Sequence, residues 1–447
     1  MKKFSDLNLG YSDAENYKRR ENKEFFNSIF VRSDILDNIC NESTFFLIGE
    51  KGTGKTAYAV YLANNTHRNT SAILSYIRET EYQQFVNLKE QNHLVLSDYT
   101  HIWKVIIYLL ISEKIAQDDK EKSIFNFSKF RNIKNAIDDY YKNAFSPEII
   151  QAMSFVDHSS LSANLLAQYA EVGGEFGTER TFSESRFQTN LFYIQRKFED
   201  ALKAIKLNHS HVLFIDGIDI RPSSIEYSDY LDCVKGLANA IWSINNDFFS
   251  AIKDSPGRMR VILLVRPDIF DSLGLQNQNN KVRDNSILLD WRTTYAGHRS
   301  SMIFELADKL LRVQNSPDLE IGHAWDHYFP YKLPSTAPHI RNYDPPFILF
   351  LRYSLYRPRD IVTMLGILQE NYDLNLRDNI VLTADDFNNG QFLRKYAQYL
   401  LGEVKDQLSF YYSAKDYEMF LKFFQYLKGE MKFDYQEFLE AFDKHKD

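Results

Sequence analysis

Three glycines, two lysines and two threonines stand close together in Gly49-Glu50-Lys51-Gly52-Thr53-Gly54-Lys55-Thr56. The order is a glycine, four residues, then Gly-Lys-Thr, and each residue type suits a polyphosphate. Glycines let the backbone curl so that successive N–H groups converge on one anion. Lys55 is spaced to reach the outer phosphates, and the Thr56 hydroxyl to ligate Mg²⁺. A helix over about 55–64 would turn its positive end toward the same anion. Gly49 through Ala57 are therefore the expected cradle of a nucleoside triphosphate. The apolar run Phe45–Ile48 in front supplies the strand such a loop needs, which an ordinary glycine-rich turn would not require.

A phosphate cradle needs carboxylates to complete a metal shell and to handle water. Val212-Leu-Phe-Ile-Asp216-Gly217-Ile218-Asp219 offers two. Asp216 closes a buried apolar strand expected beside the strand that feeds the loop, which suits the Mg²⁺ shell. Asp219, three residues on, either orients and deprotonates water or caps the next helix. Arg266 closes Val261–Val265 in the same way. It would stabilise a terminal phosphate or pair with Asp268. Further on, Arg357-Pro358-Arg359-Asp360 reads as a helix start with proline early, followed by the apolar Ile361–Leu368.

The elements that position these residues follow from periodicity. Apolar runs at 45–48, 72–77, 212–215, 261–265 and 286–290 read as strands. Helical patterns separate them, notably at 99–116, 128–145, 184–206 and 229–252. Strands alternating with helices predict an α/β fold, a parallel sheet with helices on both faces. Residues 1–44 form a mostly helical lead-in, with mixed periodicity over 14–30. Residues 45–293 form the core, carrying a helical insertion at about 82–210 that Glu171-Val-Gly-Gly-Glu175 interrupts. Residues 294–400 read as helices without a convincing strand. Two amphipathic helices, 414–427 and 434–442, meet at a Gly429 turn in the 401–447 tail.

The order of the Gly-Lys-Thr loop, an Asp-Gly-Ile-Asp strand end and an arginine closing the next strand resembles the AAA+ and STAND branch of P-loop ATPases. Within it, the chain is similar to bacterial stand-alone ATPases related to the origin-recognition and STAND groups. Leu264-Val-Arg-Pro-Asp-Ile-Phe270 and Arg357-Pro-Arg-Asp360 carry that likeness, which spans roughly residues 10–400 in motif order. It implies a P-loop NTPase core with a large helical insertion, an all-helical lid over 294–400 and a partial winged-helix-like tail. It implies a Mg²⁺-dependent ATPase with Lys55, Asp216, Asp219 and Arg266 at the reacting phosphate. Arg266 would be the first sensor, Arg359 the second, and Pro358 would set the lid helix against the base or ribose. The family usually has Glu directly after the strand-end Asp, and Gly217 stands there. Either Asp219 takes its place or hydrolysis is slow, as suits a switch. The resemblance further implies a homo-oligomer, a separate effector protein and a role in antiphage defence or stress signalling. Nucleic acid is a possible partner, as for a loader or remodeller, and a non-hydrolysing ATP-bound adaptor is the other alternative.

Composition narrows the field. The 447 residues suit about three domains, or two with insertions. A formal charge of -7 argues against a bulk electrostatic grip on nucleic acid, though a local basic patch remains open. Two distant cysteines and no apolar run of membrane length lead to the expectation of a reduced, cytoplasmic protein without a membrane. A GTPase base reader would need Asp where Asn280-Lys281-Val282-Arg283 has arginine, and no Leu-Ser-Gly-Gly-Gln signature occurs, so ATP is favoured. Lys120–Lys134 interleaves bases and aromatics, which suits single strands or a solvated helix packing its phenylalanines inward. Gln276–Lys281 reads as a polar surface loop, and His323 and His327 lack the third ligand of a zinc site.

Overall fold

The computed structural model describes residues 1–77, 96–118, 184–221, 225–316, 318–335, 343–374, 381–428, 430 and 432–446. Five strands form one parallel sheet: β1 (Phe46–Ile48), β2 (Thr70–Tyr76), β3 (Ser210–Asp216), β4 (Met259–Val265) and β5 (Ser286–Leu288). Their spatial order is β2-β3-β4-β1-β5, with every neighbouring pair parallel. The fold is therefore α/β. Side chains alternate across the sheet. Phe46, Ile48, Leu213, Ile215, Val261, Leu263 and Val265 enter one core, while Leu47, Val212, Phe214, Ile262 and Leu264 enter the other. That is why these runs are apolar throughout: both faces are covered.

The second face carries α1 (Lys23–Ile29), α2 (Asp34–Ile39) and α3 (Lys55–Asn64), with Tyr17 packed on Phe26, Phe26 on Tyr61, and Phe30 on Tyr58 and Tyr61. The first face carries α4 (Leu96–Gln117), α5 (Glu184–Ala204) and α6 (Tyr227–Ser243). Gly236 explains how closely α4 and α6 cross, since a Cβ there would lie 2.6 Å from the Tyr99 Cβ. Fully buried Trp103 donates its indole N–H to the Cys233 carbonyl at 3.1 Å. Short helices α7 (Pro267–Ser272) and α8 (Gln278–Asn285) flank the path to β5.

Beyond β5 come α9 (Met302–Arg312), α10 (His323–Tyr328), α11 (Pro346–Tyr353), α12 (Pro358–Leu374), α13 (Ala384–Phe387), α14 (Gly390–Leu408), α15 (Ala414–Tyr426) and α16 (Tyr435–Lys446). Aromatic packing of Phe304, Trp325, Phe347 and Phe350 builds a separate core for α9 to α12. Phe4, Leu7 and Leu9 insert into that core, and the Gln369 amide donates to the Phe4 and Leu7 carbonyls, each at 2.8 Å. The N-terminal segment thus straps the sheet to the C-terminal helices.

Several expectations need correction. The lead-in is helical in short pieces, the 3-10 turns Phe4–Asp6, Ala14–Lys18 and Arg20–Asn22 before α1 and α2, because its contacts are made to two different cores rather than along one helical face. The second strand starts earlier, at Thr70, and the last ends at Leu288, where Asp290 turns to pair with Arg292. The strand carrying Asp216 is not beside β1, because β4 lies between them. A two-residue antiparallel pair, β6 (Leu333–Pro334) with β7 (Tyr343–Asp344), occurs in the region expected to lack strands. Gln276–Lys281 is no plain loop: Asn277 precedes α8, and the Lys281 ammonium sits 4.5 Å over the Trp242 ring. The helix expected at 128–145, the basic-aromatic stretch at 120–134, the 171–175 interruption and Gly429 lie outside the described residues. Cys40 and Cys233 are free thiols, and no described helix is long and apolar enough to cross a membrane.

Candidate functional site

The chain leaves β1 in the Gly49–Thr56 loop, whose curl is imposed by its glycines and held from outside. Gly52 and Gly54 have φ of 85° and 93°, a region that costs other residues strain. A Cβ on Gly49 would come within 2.5 Å of the Thr53 hydroxyl, which itself donates to the Glu50 carbonyl at 2.7 Å. The Trp291 indole donates to the Thr53 carbonyl at 2.8 Å, and the Arg357 guanidinium to the Lys51 carbonyl at 3.0 Å. The Arg359 amide reaches the Gly52 carbonyl at 3.3 Å. The Lys51, Gly52 and Thr53 carbonyls are thus occupied from outside the loop, and α3 follows with Lys55 as its first residue.

Lys55 is buried; its ammonium donates to the Gly49 carbonyl at 2.8 Å and lies 3.5 Å from an Asp219 carboxylate oxygen. The Thr56 hydroxyl donates to Asp216 at 2.6 Å, across the gap that β4 leaves between the loop and the end of β3. Burial pushes the Asp216 carboxyl above the ordinary carboxylate range, and nearby Asp219 adds to this, against the Thr56 bond and the Lys55 charge. The other Asp219 oxygen is buried without a hydrogen-bond partner among the described residues. Asp219 does not cap α6, which begins eight residues later at Tyr227. Gly217 has a structural reason: its φ is 93°, and a Cβ would lie 2.4 Å from the Ile77 carbonyl oxygen. A glutamate would not fit there.

Arg266 caps the start of α7, with its guanidinium turned back onto Asp268 in a bidentate pair. Asp268 also accepts from the Tyr411 hydroxyl at 2.6 Å, and Arg266 lies 5.8 Å from the Phe410 ring centre. Burial opposes the arginine's charge, but the Asp268 pair outweighs it and holds its pKa above the usual value. Of the two expected uses of Arg266, pairing with Asp268 is the one this structure contains. Its charge still acts on Asp219.

α12 starts with Pro358, as its sequence suggests. Arg357 is nearly inaccessible and bonds Asp360 at 2.6 Å; burial alone would lower its pKa, and that carboxylate raises it. Arg359 lines the cavity, with its Nε on the Ser12 carbonyl at 3.2 Å. Both arginines pair with Glu403 of α14, at 3.1 and 3.4 Å, and Lys51 joins them at 3.4 Å.

Loop, β3 end and helices surround a cavity of about 270 Å³. Gly52, Gly54, Lys55, Thr56, Asp216 and Asp219 are its polar lining, drawn together by the Thr56–Asp216 and Lys55–Asp219 contacts. Tyr17, Phe26, Phe30, Leu306, Leu310 and Val362 are its apolar lining. Of the predicted residues, Lys51, Gly52, Gly54, Lys55, Thr56, Ala57, Asp216, Asp219, Pro358 and Arg359 therefore come together around one volume, whereas Gly49, Glu50, Thr53 and Arg266 lie outside its lining. Sequence reasoning missed the wall from the lead-in, Trp291, Arg357 and Glu403. Its only signal was the spacing of aromatics over 11–30, and nothing local ties Glu403 to a loop some 350 positions earlier. Among protein families, curated proteins and solved structures, none matches this chain.

Proposed function

We propose that the chain binds ATP with Mg²⁺ in the cavity beside Gly49–Thr56 and hydrolyses it slowly, as a switch ATPase of the AAA+/STAND type. The observation that carries this reading is the convergence of Lys55, Thr56, Asp216 and Asp219 on a cavity that also has an apolar lining. A nucleotide asks for both, polar groups for its phosphates and apolar surface for its base. The donor set fits Mg²⁺, being a hydroxyl and carboxylates, and the unpartnered buried oxygen of Asp219 fits a water or phosphate hydroxyl.

In this reading the loop amides and the start of α3 bind the phosphates, and Lys55 exchanges its Gly49 carbonyl for a phosphate oxygen. Thr56 and Asp216 hold the metal, which when bound neutralises charge on the phosphates. Asp219 orients and accepts a proton from the attacking water. Because Lys55 lies beside Asp219 and Arg266 is engaged by Asp268, turnover requires both pairs to rearrange, which supports slow hydrolysis. In the same reading, α9 to α14 act as the lid. Contacts of Arg357 and Arg359 with the loop would pass nucleotide state to α14 through Glu403, and from there to a partner protein or another copy of the chain.

The test is phosphate release by purified protein with ATP and Mg²⁺, with and without DNA, beside Lys55→Ala and Asp219→Ala. A slow, DNA-indifferent rate lost in both variants supports the switch. Strong DNA stimulation would move the reading to a DNA-handling ATPase, and binding without turnover to an adaptor.

A further inference from the structure

We propose that Asp118, His209 and His211 form a site for a borderline divalent metal ion, zinc in the first instance, at the amino-terminal end of β3. This is the opposite end of the strand from Asp216. His209 lies at the bend that leads into β3 and His211 lies in the strand itself. The two imidazoles lie side by side, ring centres 4.3 Å apart, and both histidines are buried. Asp118 immediately follows α4, and one of its carboxylate oxygens lies 3.0 Å from His209 Nε2. One donor atom from each residue falls within 4.8 Å of the other two.

The chemistry of the set decides the ion. Two imidazoles with one carboxylate suit zinc, cobalt or nickel, whereas Mg²⁺ and Ca²⁺ ask for oxygen alone. Zinc bonds of about 2.0–2.1 Å in tetrahedral geometry place donors about 3.4 Å apart, so the 4.8 Å span closes with a modest turn of one imidazole.

The donors sit on anchored backbone, as a metal site needs. The Ser255 hydroxyl accepts from the Leu207 amide and donates to the Gly257 carbonyl, both at 2.8 Å. Gly257 itself donates to the Leu207 carbonyl at 2.9 Å, and a Cβ on it would strike the His209 carbonyl oxygen at 2.0 Å. The His211 amide is fixed on the Arg258 carbonyl at 2.7 Å. From the other side, α4 is held in the core by Trp103, Ile107, Ile111 and Ile115. A metal here clips the end of α4 to the start of β3, so its effect is on stability and does not depend on the nucleotide reading.

The experiment is titration of chelator-treated full-length protein with Co²⁺ in excess Mg²⁺, followed by Zn²⁺ competition against a chromogenic chelator. The expected result is one ion per chain with the visible bands of four-coordinate Co²⁺, displaced by Zn²⁺, and a rise in melting temperature on binding. His211→Gln and Asp118→Asn should each weaken binding more than about 100-fold, beyond the loss typical of an outer-shell partner. Lys55→Ala should leave it unchanged. If His211→Gln fails to fold, Asp118→Asn, at a less buried position, decides alone. No saturable binding, binding indifferent to Asp118→Asn, or binding lost with Lys55→Ala would overturn the assignment and leave a His–Asp hydrogen bond beside a second imidazole.

Discussion

Replacing Asp216 by asparagine should move two stabilities in opposite directions. Without nucleotide, Asp216 is a buried carboxylate whose charged form is disfavoured first by burial and then by Asp219. Asparagine keeps one oxygen to accept from Thr56, now at 2.6 Å, gives up the acceptor that the Gly217 amide now uses at 2.8 Å, and removes the charge, whose relief should outweigh that lost bond. The expected gain for the ligand-free protein is about 0.5–2 kcal/mol, typical of relieving a strained functional position. In a chain of 447 residues this raises the melting temperature by only roughly 1–4 °C. The pH dependence follows from the direction of the shift. A carboxyl raised in the folded state carries no penalty when both states are protonated, and the penalty grows as pH rises through the folded-state pKa. The advantage of Asp216→Asn should therefore grow as pH rises and vanish in acid. With ligand the order reverses. ATP at about 100 times its Kd stabilises wild type by about 2.7 kcal/mol, and the part of this that needs Mg²⁺ should be missing in the variant. Differential scanning fluorimetry across pH, with ATP alone and with ATP plus Mg²⁺, reads all of these. A ligand-free variant less stable than wild type, or one keeping the full Mg²⁺ increment, would refute the reasoning and make Asp216 a structural residue.

Other changes probe the rest of the site. Gly52→Ala puts a Cβ at φ 85° and 3.0 Å from the Arg359 Cβ, so it should cost about 1–2 kcal/mol in thermal unfolding and lower ATP affinity about tenfold. Leu310→Trp adds bulk to the apolar lining of the cavity and should weaken ATP binding by calorimetry at least about tenfold, while tripolyphosphate, which has no base, binds as before. Glu403→Gln leaves Lys51, Arg357 and Arg359 without their shared carboxylate, and should cost about 1–3 kcal/mol by denaturant unfolding; an unchanged midpoint would show the three pairs to be idle.

The sheet was legible because β3 and β4 are buried on both faces and must be apolar throughout, which leaves unbroken runs in the sequence. Strand order was not. Nothing in Phe46–Ile48 says that β4 rather than β3 lies beside it, since the chain visits β2 and β3 first and both sides of β1 look alike in composition. Asp216, Asp219 and the glycine loop could be read because each role fixes a residue type at a short spacing. Gly217 looked like a departure until the Ile77 carbonyl appeared 2.4 Å from where its Cβ would stand. The apolar lining of the cavity escaped because Tyr17, Phe26 and Leu310 are ordinary core residues in type, and only tertiary packing brings them to one cavity. Glu403 escaped for the same reason: its partners are set by the docking of α14, not by local pattern.

The central claim rests on triphosphate binding at the Gly49–Thr56 loop. Isothermal titration of wild type and Lys55→Ala with ATP and Mg²⁺ tests it most directly. The account predicts one saturable site per chain in wild type, weakened about 100-fold or more in the variant, which lacks the buried ammonium that wild type holds between the Gly49 carbonyl and Asp219. Absent binding in wild type, or equal binding in both, would contradict it.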